Sequence, residues 1–532
     1  MDVLASIPNL VSLVIFLPAV GALVALFMPS DGAVRWTALA TTVVTFLLSL
    51  GLYTGFDPAM STAVAPQLME KLPWFPSVDI TYFVGVDGLN LLLTLLTTLL
   101  GPIIVLSSWT YIGKQVKGYY SLMLLLQTGV LGVFLSFDLF LFYIFFEITL
   151  IPMYFIIGIW GGENRIYAAV KFVLYTLVGS LLMLVGILWL GFEAGDAVNA
   201  GVFTTDWYKL VSFGVPLGAQ GWLFFLFLLA FAIKVPLFPF HTWLPDAHVQ
   251  APTGGSVVLA GVLLKMGTYG LLRFTIPFFP NAAEQWAPVM AVLAVIGIIY
   301  GALVAFAQTD AKKLIAYSSV SHLGFVVLGL FALDTVAVQG ALIQMVNHGL
   351  STGALFLLIG MLYERTHTRK MADYGGIAKT VPVLTFFMML TVFASAGLPG
   401  LNGFVGEFLI LLGSWRSDAF STIWVILGTT GVILAAVYLL WMVYRTFFGE
   451  VTNEANLTMK DLNGREIGLL IPLAVFMVWL GMGPAPFLDK SEDAVQAILD
   501  TARTKAAATE AAAPGEMVAV PLEWPDRVAV SD

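Results

Sequence analysis

About fourteen apolar stretches, each near the roughly 20 residues that a bilayer core about 30 Å thick demands of a helix, follow one another along this chain. They run over residues 8–28, 33–55, 88–109, 119–136, 138–159, 166–192, 220–240, 255–273 and 284–306, then 313–333, 336–362, 380–414 with a break, 421–447 and 466–486. Inside lipid, only helices and closed barrels satisfy every backbone N–H and C=O, and stretches of this length select the helix. The expected fold is an all-α polytopic membrane protein of about 14 transmembrane helices. With 59% hydrophobic and 11% charged residues, the chain has little left over, and no connecting loop is long enough for a separate soluble domain.

Loop charge sets the expected orientation, because Lys and Arg collect on the cytoplasmic side of a membrane. One set of alternate loops holds Arg35, Lys114, Lys117, Arg165, Lys171, Lys312, Lys313, Arg365, Arg369, Lys370, Lys379, Arg445, Lys460 and Arg465. The opposite set holds Lys71, Lys209, Arg273 and Arg416 among acids such as Glu70, Asp79, Glu193, Asp196 and Asp206. Both termini are then expected on the outer, periplasmic side of a bacterial inner membrane. Met1-Asp2 lacks a basic n-region, so the first apolar stretch is expected to be a retained span and the numbering to start at the mature terminus. The tail from about residue 489 is Ala-rich, with an expected short surface helix and a loose extension containing Pro521 and Pro525. A chain without cysteine holds no thiolate-bound zinc, iron–sulfur cluster or disulfide, so any redox chemistry is expected on partner subunits. The net charge of -9 comes without a basic block, which leaves no signal for nucleic acid.

Six titratable groups fall near the middle of apolar stretches: Glu147, Lys234, Lys265, His322, His348 and Glu407. A charge at a helix centre costs roughly 2.5–3.5 kcal/mol even on the lenient insertion scale, so a purely structural chain has little reason to keep six. Burial disfavours the charged form and a nearby opposite charge restores it, so such groups can load and unload a proton near neutral pH. A layer of them at one depth is the minimal machinery of a proton relay. No cofactor-binding or metal-ligating pattern accompanies it: His241 and His248, seven apart across a break, lack carboxylate or thiolate company.

Helix breaks supply the second signal, since Pro frees backbone groups that must find polar partners. Pro236, Pro239 and Pro245 interrupt the seventh stretch just after Lys234. Gly397, Pro399 and Gly400 interrupt the twelfth just before Glu407. Paired interruptions of this kind point to a transporter built from inverted repeats. Each feature also has a plainer reading. A buried Glu or His is often satisfied by a neighbouring helix, Glu147 lies near the kink expected at Pro152, and the breaks serve equally as packing kinks. Asp138 is expected as a helix cap, with Lys312 and Lys313 as positive-inside anchors.

The segments HTWLPDAHVQAPTGGSVVLAGVLLKMGTYGLLRF (241–274), TDAKKLIAYSSVSHLGF (309–325) and AGLPGLNGFVGEF (396–408) resemble the proton-translocating, antiporter-like subunits of respiratory complex I, the NADH:quinone oxidoreductase. The resemblance implies two inverted five-helix repeats with broken helices 7 and 12. It divides the chain into three N-terminal helices (1–118), a first repeat (119–274), a second repeat (275–450), helix 14 (451–488) and a tail (489–532). It carries the relay roles to the same six residues and places FMN, iron–sulfur clusters and quinone in partner subunits, with none in this chain. Glu407 matches the subunit-M branch, where subunits L and N carry lysine, and implies L and N as neighbours, with lipid around them. Two alternatives stay open: a subunit of a multi-component sodium/proton antiporter, and a structural membrane scaffold.

Overall fold

The computed structural model describes residues 2–58, 66–451, 453–513 and 518–520, so Pro521 and Pro525 lie outside the described residues. A helix that is apolar all round has no face to offer water, and the expected stretches each form helix within a few residues of their expected limits. In chain order these are α1 (Leu10–Phe27), α2 (Asp31–Gly55), α3 (Leu91–Ser107), α4 (Val116–Leu135), α5 (Leu139–Ile148) with α6 (Leu150–Trp160), and α7 (Arg165–Val198). Then come α8 (Leu217–Lys234), α9 (Trp243–Gln250), α10 (Thr253–Phe278), α11 (Pro280–Phe306), α12 (Ala311–Phe331) and α13 (Thr335–Thr366). The last are α14 (Pro382–Ser395), α15 (Asn402–Arg416), α16 (Thr422–Phe447), α17 (Gly464–Met482) and α18 (Glu492–Ala511). Among the described residues, twelve helices are long and apolar enough to cross a membrane, counting α5 and α6 as one, and α3 and α14 are shorter apolar helices.

Burial sorts the helices into a centre and a rim. The apolar windows of α10 and α13 are 100% buried and that of α12 is 94% buried, whereas α1, α2, α7, α16 and α17 bury between 33% and 44%. The rim turns Leu23, Phe27, Leu174 and Ile433 outward, as a lipid-facing surface does. Lys265 on α10, His322 on α12 and His348 on α13 are thus walled by protein. Helix starts are capped by side chains: Asp138 accepts from the amides of Phe140 and Leu141, Asp310 from those of Lys312 and Lys313, and Asp334 from those of Val336 and Ala337.

Three features differ from the sequence reading. Residues expected as loop form an antiparallel hairpin, β1 (Gln67–Phe75) and β2 (Ile80–Val86), tied down where Glu70 accepts from the amide of Val11 and Lys71 pairs with Asp206 at 2.5 Å. Arg273, counted with the loop cations, is buried inside α10 against Asp87 at 2.5 Å, its guanidinium over the rings of Phe137, Trp207 and Tyr269. Lys312 is not a headgroup anchor; it is buried and donates to the Ala251 carbonyl at 2.6 Å. In each case a specific partner across the fold outweighs the pull of solvent on a charged side chain. The tail helix α18 lies over the helix ends as a surface strap, burying Val495, Ile498, Leu499 and Lys505.

Candidate functional site

The two broken stretches divide where Pro and Gly demand it. The first runs from the end of α8 at Lys234 through Pro236 and Pro239 to α9, and Pro245 falls in the first turn of α9, where a missing N–H is harmless. The carbonyl of Ile233, freed by the break, accepts from the Trp243 indole at 2.8 Å. The second break separates α14 from α15, with Pro399 between Gly397 at φ +75° and Gly400 at φ +91°. A Cβ at Gly397 would lie 3.1 Å from Glu407 Oε2, so glycine serves both the left-handed backbone and the approach of that carboxyl. Lys234 precedes its break and Glu407 follows its own, so the two breaks do not correspond residue for residue.

Four of the six sequence-predicted residues form a connected row. Lys265 sits in α10 between two π-helical segments, Leu259–Leu263 and Leu271–Thr275, a geometry that recurs at functional sites. Its Nζ donates to the Ala260 carbonyl and lies 2.7 Å from Nδ1 of His348 on α13. The rings of His348 and His322 approach to 6.0 Å between centroids. His322, on α12, places Nδ1 2.9 Å from Glu407 Oε1 and Nε2 3.2 Å from the Tyr438 hydroxyl. Glu407 Oε1 also accepts from Gln344 at 3.2 Å. His348 Nε2 and Glu407 Oε2 have no protein partner among the described residues, leaving sites for water or a passing proton.

Glu147 and Lys234 stand apart from that row. Glu147 ends α5, where the helix is interrupted at Thr149, three residues before the Pro152 expected to kink it. Among the described residues the two form no contact ion pair: neither Lys234 Nζ nor Glu147 Oε1 has a hydrogen-bond partner. The ammonium instead lies 5.0 Å from the Phe146 ring and 5.5 Å from the Phe172 ring, close enough to feel the charge of Glu147. Aromatic faces attract a desolvated cation without consuming a lone pair.

Sequence reasoning missed several members of this interior. Gln344 lies one helical turn from His348, and Asn347 beside it exchanges side-chain-to-carbonyl bonds with Asn402 at 2.7 and 3.3 Å. Their i, i+4 spacing was a usable signal. Tyr438 lay unmarked in an apolar stretch. His248 was weighed only as a metal ligand; it is buried, stacked on Phe356 at 4.5 Å, with both ring nitrogens unpartnered. Among the described residues no group of three or more His, Cys, Asp or Glu could hold a metal ion.

Comparison with known proteins bears on this geometry. Residues 136–435, which include all six candidate positions, match the family described as NADH:quinone oxidoreductase/Mrp antiporter, TM. The NADH-quinone oxidoreductase subunit M of Rhodobacter capsulatus is 46% identical over 501 residues, covering 90% of this chain and 94% of that protein. A chain of respiratory complex I from Thermus thermophilus with bound NADH superposes with a TM-score of 0.83 at 34% identity, covering 92% of this chain and 99% of that one. A chain of the Mrp complex from Dietzia sp. shares the fold, with a TM-score of 0.78 at 21% identity over 94% and 99% of the two chains.

Proposed function

This chain belongs to the antiporter-like proton-translocating membrane subunits of respiratory NADH:quinone oxidoreductase, and from that premise we propose that it moves protons along the buried row from Lys265 through His348 and His322 to Glu407. The contiguity of that row across four helices, inside protein and away from lipid, carries the reading. Glu147 and Lys234 form the switch: when they approach, the carboxylate holds a proton on Lys234, and when they part, as here, the ammonium rests on aromatic faces and gives the proton up.

The energetics fit. One charge moved against 100 mV costs about 2.3 kcal/mol, and two pKa units of switching, at about 1.4 kcal/mol each, cover it. The driving energy comes from NADH oxidation and quinone reduction at FMN and iron–sulfur clusters in partner subunits, with subunits L and N as lateral neighbours within the lipid. Fourteen spans, grouped as two inverted five-helix repeats (119–274 and 275–450) after three N-terminal helices (1–118), with helix 14 (451–488) and the tail (489–532) beyond them, put both termini on the outer side of the bacterial inner membrane.

Replacing Glu147 or Lys234 by Ala in the assembled complex is expected to abolish or strongly reduce proton pumping in inverted membrane vesicles while leaving assembly intact. Full pumping by both variants would refute the switch.

A further inference from the structure

A relay needs a way in from water, and the row from Lys265 to Glu407 contains no group that reaches one. A cavity of about 610 Å³ opens among the basic loops and is lined by Asp246, Val249, Gln250, Asp310, Lys312 and Arg369. Three of those residues belong to α9, and the same short helix carries His248.

Resting on the relay reading, we propose that His248 is a proton-carrying residue that connects this cavity to Lys265. The ring is buried, yet neither nitrogen has a protein partner among the described residues, which is unusual for an imidazole because its neutral form carries one donor and one acceptor. Stacking on Phe356, with planes 9° apart, fixes the ring face and leaves both edges free. The nearby Ser256 hydroxyl donates to the His248 carbonyl at 3.0 Å and not to the ring. The charges of Lys312, which lines the cavity, and of Lys265 both act on the ring, and the ring in turn acts on His348. Lys312 donates to the Ala251 carbonyl and Arg369 to the Val249 carbonyl, both at 2.6 Å, so two cations grip the C-terminal end of α9 and hold His248 in place.

The step balances without another reactant. A proton from cavity water binds one ring nitrogen and forms the imidazolium. The proton on the other nitrogen then passes to the uncharged Lys265 amine, and the ring returns to neutral.

The test measures protons moved per NADH oxidised in inverted vesicles of the whole complex for His248→Gln, His248→Phe and Lys265→Ala. This ratio reports only assembled complex, and His248→Phe keeps the stack on Phe356. Both His248 variants are expected to lose as much yield as Lys265→Ala. Parental yield in either His248 variant, with loss in Lys265→Ala, overturns the inlet and leaves the relay standing; parental yield in Lys265→Ala sinks the relay itself. If neither His248 variant assembles, His248→Gly is assayed with added imidazole: pumping that appears only with imidazole supports the inlet, and pumping without it overturns it.

Discussion

The buried row and the Glu147–Lys234 pair beside it are built on opposite principles. From Lys265 to Glu407 two of the three steps are hydrogen bonds, and the third is an approach of two histidine rings at 6.0 Å between centroids. Neither Glu147 Oε1 nor Lys234 Nζ has a hydrogen-bond partner among the described residues, and the ammonium lies against the rings of Phe146 and Phe172. A hydrogen-bonded row fixes geometry and lets a proton hop with little rearrangement. An unpaired buried charge is costly and gains by approaching its counter-charge, so that end stores a choice between two arrangements. In the proposed reading the first is a wire and the second a switch: Lys265, His322 and His348 stand on α10, α12 and α13, whose apolar windows are 94–100% buried, and Glu407 is itself buried on α15, while Lys234 hangs on the end of a broken helix.

Breaking the wire is expected to give the largest effect. Glu407→Gln keeps the shape but removes the charge facing His322 and its place as terminal proton site, so pumping is expected to fall by at least about tenfold, the lower part of the range for loss of an acid–base group. Proton uptake in inverted vesicles measures it, and pumping within twofold of parent would dissolve the distinction between the ends.

Lengthening the wire comes next. Gly349 neighbours His348 where α13 crosses α10, and a Cβ there would meet Leu96 Cδ2 at 2.5 Å and the Gly261 carbonyl at 2.8 Å. Gly349→Ala is expected to spread the helices, stretch the 2.7 Å Lys265–His348 contact, cut pumping severalfold and cost about 1–3 kcal/mol of stability by overpacking. An unchanged melting temperature and proton yield would show that the crossing is slack.

A smaller change sharpens the other end. Trp243→Phe orphans the Ile233 carbonyl at the break beside Lys234, at about 1–3 kcal/mol. Faster hydrogen exchange confined to residues 230–245 is the expected signature. Equal acceleration across α10 would mean that the break and the wire are one mechanical unit.

The difference between the two ends also explains what was legible beforehand. Residue type and depth are local properties, so the six candidate positions inside the helices, the two breaks and the helix limits could all be read from hydropathy and punctuation. Partner choice is not local. Arg273 looked like a loop cation because Asp87, which buries it, is 186 positions away. Lys312 looked like an anchor because the Ala251 carbonyl that it reaches, just past the end of α9, is 61 positions away. The hairpin at 67–86 was hidden for a related reason: its short strands carry charges that pair with Val11, Ser12 and Asp206, none of them nearby in sequence. The burial of His248 on Phe356, with both ring nitrogens unpartnered, was hidden for the same reason, because Phe356 lies 108 positions away.

A fourth buried lysine provides the control for the comparison, and the smallest expected effect. Lys505 lies under the strap helix α18, outside the spans, with the Leu210 carbonyl 3.4 Å away and the Phe278 ring 5.7 Å away. Burial alone pushes its ammonium down to about 7. When the strap lifts, the side chain returns to its ordinary value near 10.5, so between those values the lifted state holds the proton that the docked state has released. Docking therefore strengthens as pH rises above about 7 and is weakest, at a constant level, below it. Hydrogen exchange across Glu492–Ala511, corrected for the intrinsic rate, is expected to show more protection at about pH 9 than at about pH 6, and Lys505→Met to flatten the difference. Protection that falls with rising pH would mean that Lys505 is held charged by a partner. The contrast with Lys234 would then rest on acidic neighbours and not on burial, which both lysines share.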